Sequence, residues 1–166
     1  MKSLNTYIQE KLIVNKSYKS YKYFPKTWEE LRQIIIDRYE EQGPGTKKKP
    51  IDFNDINVSR IDTFYSVSNF KGIFEKMEFE YIDVSDWDVS NVKNMHFTFL
   101  GCIKLKSVGD LSNWDVSKVE NISLMFAGCK NLKSVGDLSN WDISNVKDMN
   151  SMFHRSKINT PDWYKE

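Results

Sequence analysis

A stretch of 27 residues recurs three times in this chain, and the copies begin at Asp83, Asp110 and Asp137. They read DVSDWDVSNVKNMHFTFLGCIKLKSVG, DLSNWDVSKVENISLMFAGCKNLKSVG and the shorter DLSNWDISNVKDMNSMFHRS. Trp87, Trp114 and Trp141 stand 27 apart, as do Phe99, Phe126 and Phe153, and Ser90, Ser117 and Ser144. Cys102 and Cys129, Leu105 and Leu132, and Val108 and Val135 keep the same step. A fixed period with constant apolar rungs predicts a solenoid, because such a repeat can bury its face only against its neighbours. The tryptophans are expected to form a ladder of plates, each burying about 150–250 Å².

Within one repeat, Val119, Ile122 and Phe126 recur at three and four residues, which predicts a short helix capped by Ser117 and ended by Gly128. Leu132 and Val135 then fit a short strand, paired in parallel with its copy about 4.8 Å away. The DLSNWD segment turns the chain, with Asp and Ser bonding nearby backbone groups.

Before the regular copies, residues 4–14 place Leu4, Tyr7, Ile8 and Leu12 at helical spacing behind Ser3. A helix so short needs a surface to dock on, or it is a detachable leader. Residues 16–26 mix lysine with Tyr18, Tyr21, Tyr23 and Phe24, a pattern that can stack on and neutralise nucleic acid. The favoured reading is an extended segment whose rings cover the end of the repeat array while its lysines stay solvated. Thr27 to Gln42 is the clearest helix: Thr27 and Glu30 make a capping box, Trp28, Leu31, Ile35 and Tyr39 one stripe, and Gly43-Pro44 the stop. It is expected to close the exposed end of the first repeat. GPGTKKKP (43–50) is a loop, and its lysines form a solvated positive spot. The organisation is therefore a helical cap and linker at 1–50 and a repeat array at 51–156. The array is worn at 51–82, where Ile56-Asn57-Val58-Ser59 stands in for Trp-Asp-Val-Ser, and regular at 83–109, 110–136 and 137–156. Residues 157–166, with Trp163, make a C-terminal cap.

The net charge of +1 argues against nucleic acid as a partner. No run of about 18 apolar residues is present, and the N-terminus lacks a signal-peptide pattern, so a cytoplasmic protein is expected. There is no phosphate-cradling glycine loop, no HExxH and no GxSxG, so neither an enzyme nor a cofactor is expected. Cys102 and Cys129 share a rung and could in principle bridge, but two buried thiols are the favoured reading. Asp83, Asp110 and Asp137, and likewise Asp88, Asp115 and Asp142, form columns that could hold Ca2+ or could accept turn N–H groups. The spacing lacks the glycine-rich pattern of calcium solenoids, which favours the second. His96 and His154 sit at different offsets and are expected on the surface.

The elements F-x-x-C-x-x-L-x-x-V (Phe99 to Val108, Phe126 to Val135) and W-D-V/I-S-x-V-x-x-M/I resemble the BspA-like leucine-rich-repeat family of bacteria, mycoplasmas and tailed phages. The resemblance is strong over Asp83 to Phe153 and weak over Asp55 to Phe74. Thr98, where that family has Met, and His154-Arg155-Ser156, where it has Gly-Cys, depart from it. It implies an α/β repeat fold: a right-handed, leucine-rich-repeat-like solenoid with short parallel strands, here with an N-terminal helical cap. It also implies a protein–protein interaction module. The outward residues Lys104, Lys106, Ser107, Lys133 and Ser134 are the candidate contact, and their lysines favour an acidic protein partner of a monomer or weak oligomer. The leader SLNTYIQEK is similar to the start of phage-encoded members, and Ile8-Gln9-Glu10 to the I/L-x-E site of prohead proteases. The alternatives are thus a virion-associated protein with a leader at 1–10, or an inhibitor of a host defence enzyme.

Overall fold

The computed structural model describes residues 21–165, so the expected leader at 1–10 and helix at 4–14 lie outside the described residues. Helix α1 (Trp28–Gln42) starts where the capping pattern places it. Thr27 Oγ1 accepts from the Glu30 amide at 3.2 Å, and the Glu30 carboxylate accepts from the Lys26 amide at 2.7 Å. Gly43, at φ +72°, closes the helix by donating its N–H to Tyr39 O at 2.8 Å. Trp28, Leu31 and Ile35 are buried and Tyr39 half-buried, as the stripe requires. Arg38 is buried on the same side, which the sequence did not indicate.

Four two-residue strands follow. β1 (Ile51–Asp52) pairs in parallel with β4 (Ile82–Asp83), and β2 (Tyr65–Ser66) pairs with β3 (Lys71–Gly72) in an antiparallel hairpin. Elsewhere the copies meet through single parallel bridges. One row runs Thr63↔Asn94↔Asn121↔Asp148; others join Tyr23 to Ile56 and Tyr81 to Ser107.

Two local expectations are corrected. Residues 118–126 form a run of turns rather than a helix, and among the described residues α1 is the only α-helix. Leu132–Val135 is not a strand paired with Leu105–Val108; instead Val135 O accepts from Leu111 N at 2.8 Å, and Asn94, Asn121 and Asp148 carry the bridges.

The reason lies in where the amides point. From Met95 to Cys102, the N–H groups of Thr98, Leu100 and Cys102 close turns onto carbonyls three residues back. Those of Met95, Phe97, Phe99 and Gly101 instead reach the next copy, at Asn121 O, Ser123 O, Met125 O and Ala127 O. One repeat later Ile122, Leu124, Phe126 and Gly128 do the same toward Asp148, Asn150, Met152 and His154. A helix would satisfy these groups internally; turns with left-handed residues (Phe97 φ +60°, Leu124 φ +55°, Ser151 φ +54°) divide them between copies. The apolar spacing of three to four residues suits either conformation, so it could not discriminate.

The corners are fixed by side chains. Asp83, Asp110 and Asp137 accept the amides of Ser85, Ser112 and Ser139 at 2.9 Å. Asp88, Asp115 and Asp142 accept those of Ser90, Ser117 and Ser144 at 3.0–3.2 Å. Asn94, Asn121 and Asp148 serve a third corner at 2.9–3.0 Å. Bonds to their serines hold the carboxyls of Asp110, Asp115, Asp137 and Asp142 below the usual range, the turn role weighed against Ca2+. Among the described residues no His/Cys/Asp/Glu cluster is built to hold a metal.

Stacked aromatic rings run through a core that also holds many Ile, Val and Leu side chains. Phe74, Phe99, Phe126 and Phe153 stack in sequence with centroids 5.1, 5.4 and 5.8 Å apart, and Tyr164 meets Phe153 edge-on. Trp114 and Trp141 stack at 6.5 Å and 2°, and Trp163 continues onto Trp141 at 6.5 Å. Trp87 stacks on Phe74 instead, at 5.8 Å. The indole N–H groups of Trp87, Trp114, Trp141 and Trp163 donate to Phe53 O, Val84 O, Leu111 O and Leu138 O at 2.8–3.1 Å. Each ring is thereby both an apolar plate and a tie to an earlier copy.

Candidate functional site: a lysine-lined groove

Three of the five predicted contact residues, Lys106, Ser107 and Lys133, line one groove of about 570 Å³. Lys47 and Pro50 from the GPGTKKKP loop, Tyr81 beside β4, and Asn131 complete it. Lys104 and Ser134 do not line it. The parallel run that bridges Tyr81 to Ser107 brings these segments together, and β1 sets the loop against them because Ile51 N donates to Tyr81 O at 3.0 Å.

The electrostatics are more balanced than a lysine count suggests. Lys104 Nζ lies 2.5 Å from Glu78 and Lys106 Nζ 2.6 Å from Glu80. Donating hydrogen bonds to these carboxylates raises both lysine pKa values. Lys106 also sits over the Tyr81 ring, 5.4 Å from its centroid. The acids were legible in principle: Glu78-Phe79-Glu80 repeats the alternation of Lys104-Leu105-Lys106 in the preceding copy. Ser107 Oγ and Ser134 Oγ accept the amides of Gly109 and Gly136 at 3.3 Å, so both hydroxyls stabilise turns. Asn131 donates to Ile103 O at 2.6 Å. Lys47 and Lys133 are exposed and form no ion pair among the described residues, which leaves two unneutralised ammonium groups on a half-buried aromatic wall. Such a groove suits carboxylates.

The thiols stand on the core side. Cys102 Sγ donates to Phe74 O at 2.9 Å and Cys129 Sγ to Phe99 O at 3.0 Å, and both are free and buried. Burial pushes the Cys129 thiol up to about 12 and raises that of Cys102 further in the same direction. At pH 8 only on the order of one in ten thousand Cys129 side chains is thiolate. A disulfide-exchange reagent such as DTNB is therefore expected to titrate no thiol in the native protein at pH 8, and two after denaturation. The native state holds these protons to higher pH than the unfolded chain does, so stability is complete below about pH 8.5 and declines as pH rises toward 12.

His96 is half-buried rather than on the surface, with Nδ1 2.7 Å from Ser123 Oγ, and desolvation lowers its pKa. His154 is exposed.

Residues 47–163, well over half of the chain, match the family model described as "Mycoplasma protein of unknown function, DUF285". The chain belongs to this family. The DUF285 match opens at Lys47, so every residue of the groove falls inside it while α1 precedes it. No curated protein and no solved structure matches the chain. Among the described residues, no helix is long and apolar enough to cross a membrane.

Proposed function

We propose that this DUF285 chain is a right-handed, BspA-like leucine-rich-repeat solenoid that acts as a non-catalytic protein-interaction module in the cytoplasm, taking an acidic partner at the lysine-lined groove. The observation that carries this reading is the convergence of Lys47, Lys106 and Lys133 on one concave surface beside Tyr81. It is supported by the commitment of the repeated Asp, Asn and Ser residues to turns, while Lys47 and Lys133 of the groove form no ion pair among the described residues. Charge on an interface rim mainly sets the rate of encounter and its salt dependence.

The test takes a partner recovered with the intact protein and compares wild type with a Lys106→Glu/Lys133→Glu variant. Dissociation constants are expected to rise about tenfold or more, with a weaker response to salt. Unchanged binding by a folded variant removes the groove from the assignment.

A further inference from the structure

The amide ladder between copies is directional. In the turn runs 95–101 and 122–128 the N–H groups of Met95, Phe97, Phe99, Gly101, Ile122, Leu124, Phe126 and Gly128 point toward the C-terminal neighbour and the carbonyls between them point back, whereas the Glu120 and Asn121 amides just before the second run reach back to Lys93 O. The ladder must therefore end in exposed carbonyls on one side and N–H groups on the other.

The carbonyl side is closed by donors from α1. Trp28 Nε1 donates to Phe64 O at 3.2 Å, Arg32 to the carbonyls of Gly72 and Ile73, and Arg38 to Asp52 O. Among the described residues the N–H side has no such closure. The last copy repeats the pattern at Met149, Ser151, Phe153 and Arg155, with Ser151 and Arg155 both at φ +54°. Met152, His154 and Ser156 close turns within that copy, whereas none of those four amides donates to any acceptor among the described residues. Residues 158–165 cover only the aromatic half: Trp163 rests on Trp141 and Tyr164 on Phe153. Beyond them Ile143, Val146 and Met149 remain half-buried, although the matching Val116, Val119 and Ile122 are buried.

We propose that this C-terminal edge docks an acidic extended segment of another protein, laid along the amide row so that its carboxylates and carbonyls accept the four N–H groups. Main-chain amides left unpaired on one side of a turn run are donors for anions and carbonyls, and a strand added to an open edge draws affinity from main-chain bonds. The side chains agree in sign. Lys147 is paired with Glu120 at 2.5 Å, which leaves Arg155, Lys157 and Lys165 against Asp148 and Asp162 in this stretch, and Asp148 is engaged with the Asn150 amide. Ile143, Val146 and Met149 would supply the apolar part of the contact.

The surface is separate from the groove, and the experiment distinguishes them. The 15N-labelled full chain is titrated with a hexaglutamate peptide while its amide resonances are followed. The Met149, Ser151, Phe153 and Arg155 amides are expected to shift, and Arg155→Glu/Lys157→Glu to raise the Kd about tenfold. Lys106→Glu/Lys133→Glu is expected to leave these four shifts in place. Peptide saturation without movement of the four amides overturns the proposal, as does equal movement with hexalysine. Movement that follows protein concentration without peptide also overturns it, since the edge would then belong to a second copy.

Discussion

Replacing Trp114 with alanine is expected to cost about 3–5 kcal/mol of unfolding free energy, the range for removing a large buried aromatic side chain. Trp114 is 3 % exposed, lies flat against Trp141 and near Phe64 at 6.3 Å, and ties its indole N–H to Val84 O. The cavity would open between two copies that otherwise touch through backbone bonds and these plates. A repeat array is held by nearest-neighbour contacts, so the loss uncouples the segments on either side. The denaturant midpoint should fall, and the transition of Trp114→Ala should broaden or divide. Trp114→Phe keeps an aromatic plate but removes the indole donor and part of the buried ring volume, so its cost lies between that of the hydrogen bond and that of Trp114→Ala. Val84 O still accepts the Trp87 amide at 3.1 Å, so losing the indole donor alone should cost only about 1 kcal/mol. A cycle with Trp141→Ala should show coupling, since the two rings share one contact. Additive costs would remove the ladder as a cooperative element.

The second large effect is expected at the other end. Arg38 is 6 % exposed and makes a two-point contact with Asp55, Nη1 to Oδ1 at 2.7 Å and Nη2 to Oδ2 at 3.3 Å, while also donating to Asp52 O. The Tyr23 and Phe53 rings lie 5.0 and 5.2 Å from its guanidinium carbon. Burial alone would lower its pKa, but hydrogen bonding and charge from Asp55 outweigh it and hold the group protonated. Among the described residues Arg38→Met leaves Asp55 with only Lys22, at 3.5 Å, and it orphans one carbonyl of the ladder's closed end. The expected loss is about 3 kcal/mol, the lower end for breaking a buried pair, because the Asp55 side chain is 18 % exposed. In thermal unfolding this corresponds to roughly 6–12 °C. Arg38→Lys should recover little, since an ammonium cannot reproduce the forked contact. Recovery to wild-type stability with lysine would show that charge, not geometry, is what the site needs.

Much of this was legible because it depends on residue identity at a fixed offset. The 27-residue step located the Trp and Phe rungs, the paired thiols and the turn-capping aspartates, and α1 followed from its cap residues and stripe. Phe74 and Trp163 were missed as rungs, since Phe74 follows the β2–β3 hairpin and Trp163 falls 22 residues after Trp141. The contact face was read as lysine-rich because Glu78 and Glu80, the acids that neutralise part of it, lie in the worn copy.

The sequence by itself determined the repeated apolar rungs that are buried and where the chain must bend, since those rungs follow side-chain apolarity at a fixed offset and the bends follow short polar residues that accept nearby amides. Only the tertiary structure decided the path between the bends. An amide can close a turn within its own copy or reach a neighbour, and the apolar spacing at Val119, Ile122 and Phe126 permits both. The neighbouring copy settles it by supplying carbonyls to Met95, Phe97, Phe99 and Gly101, which a local helix would have had to satisfy alone.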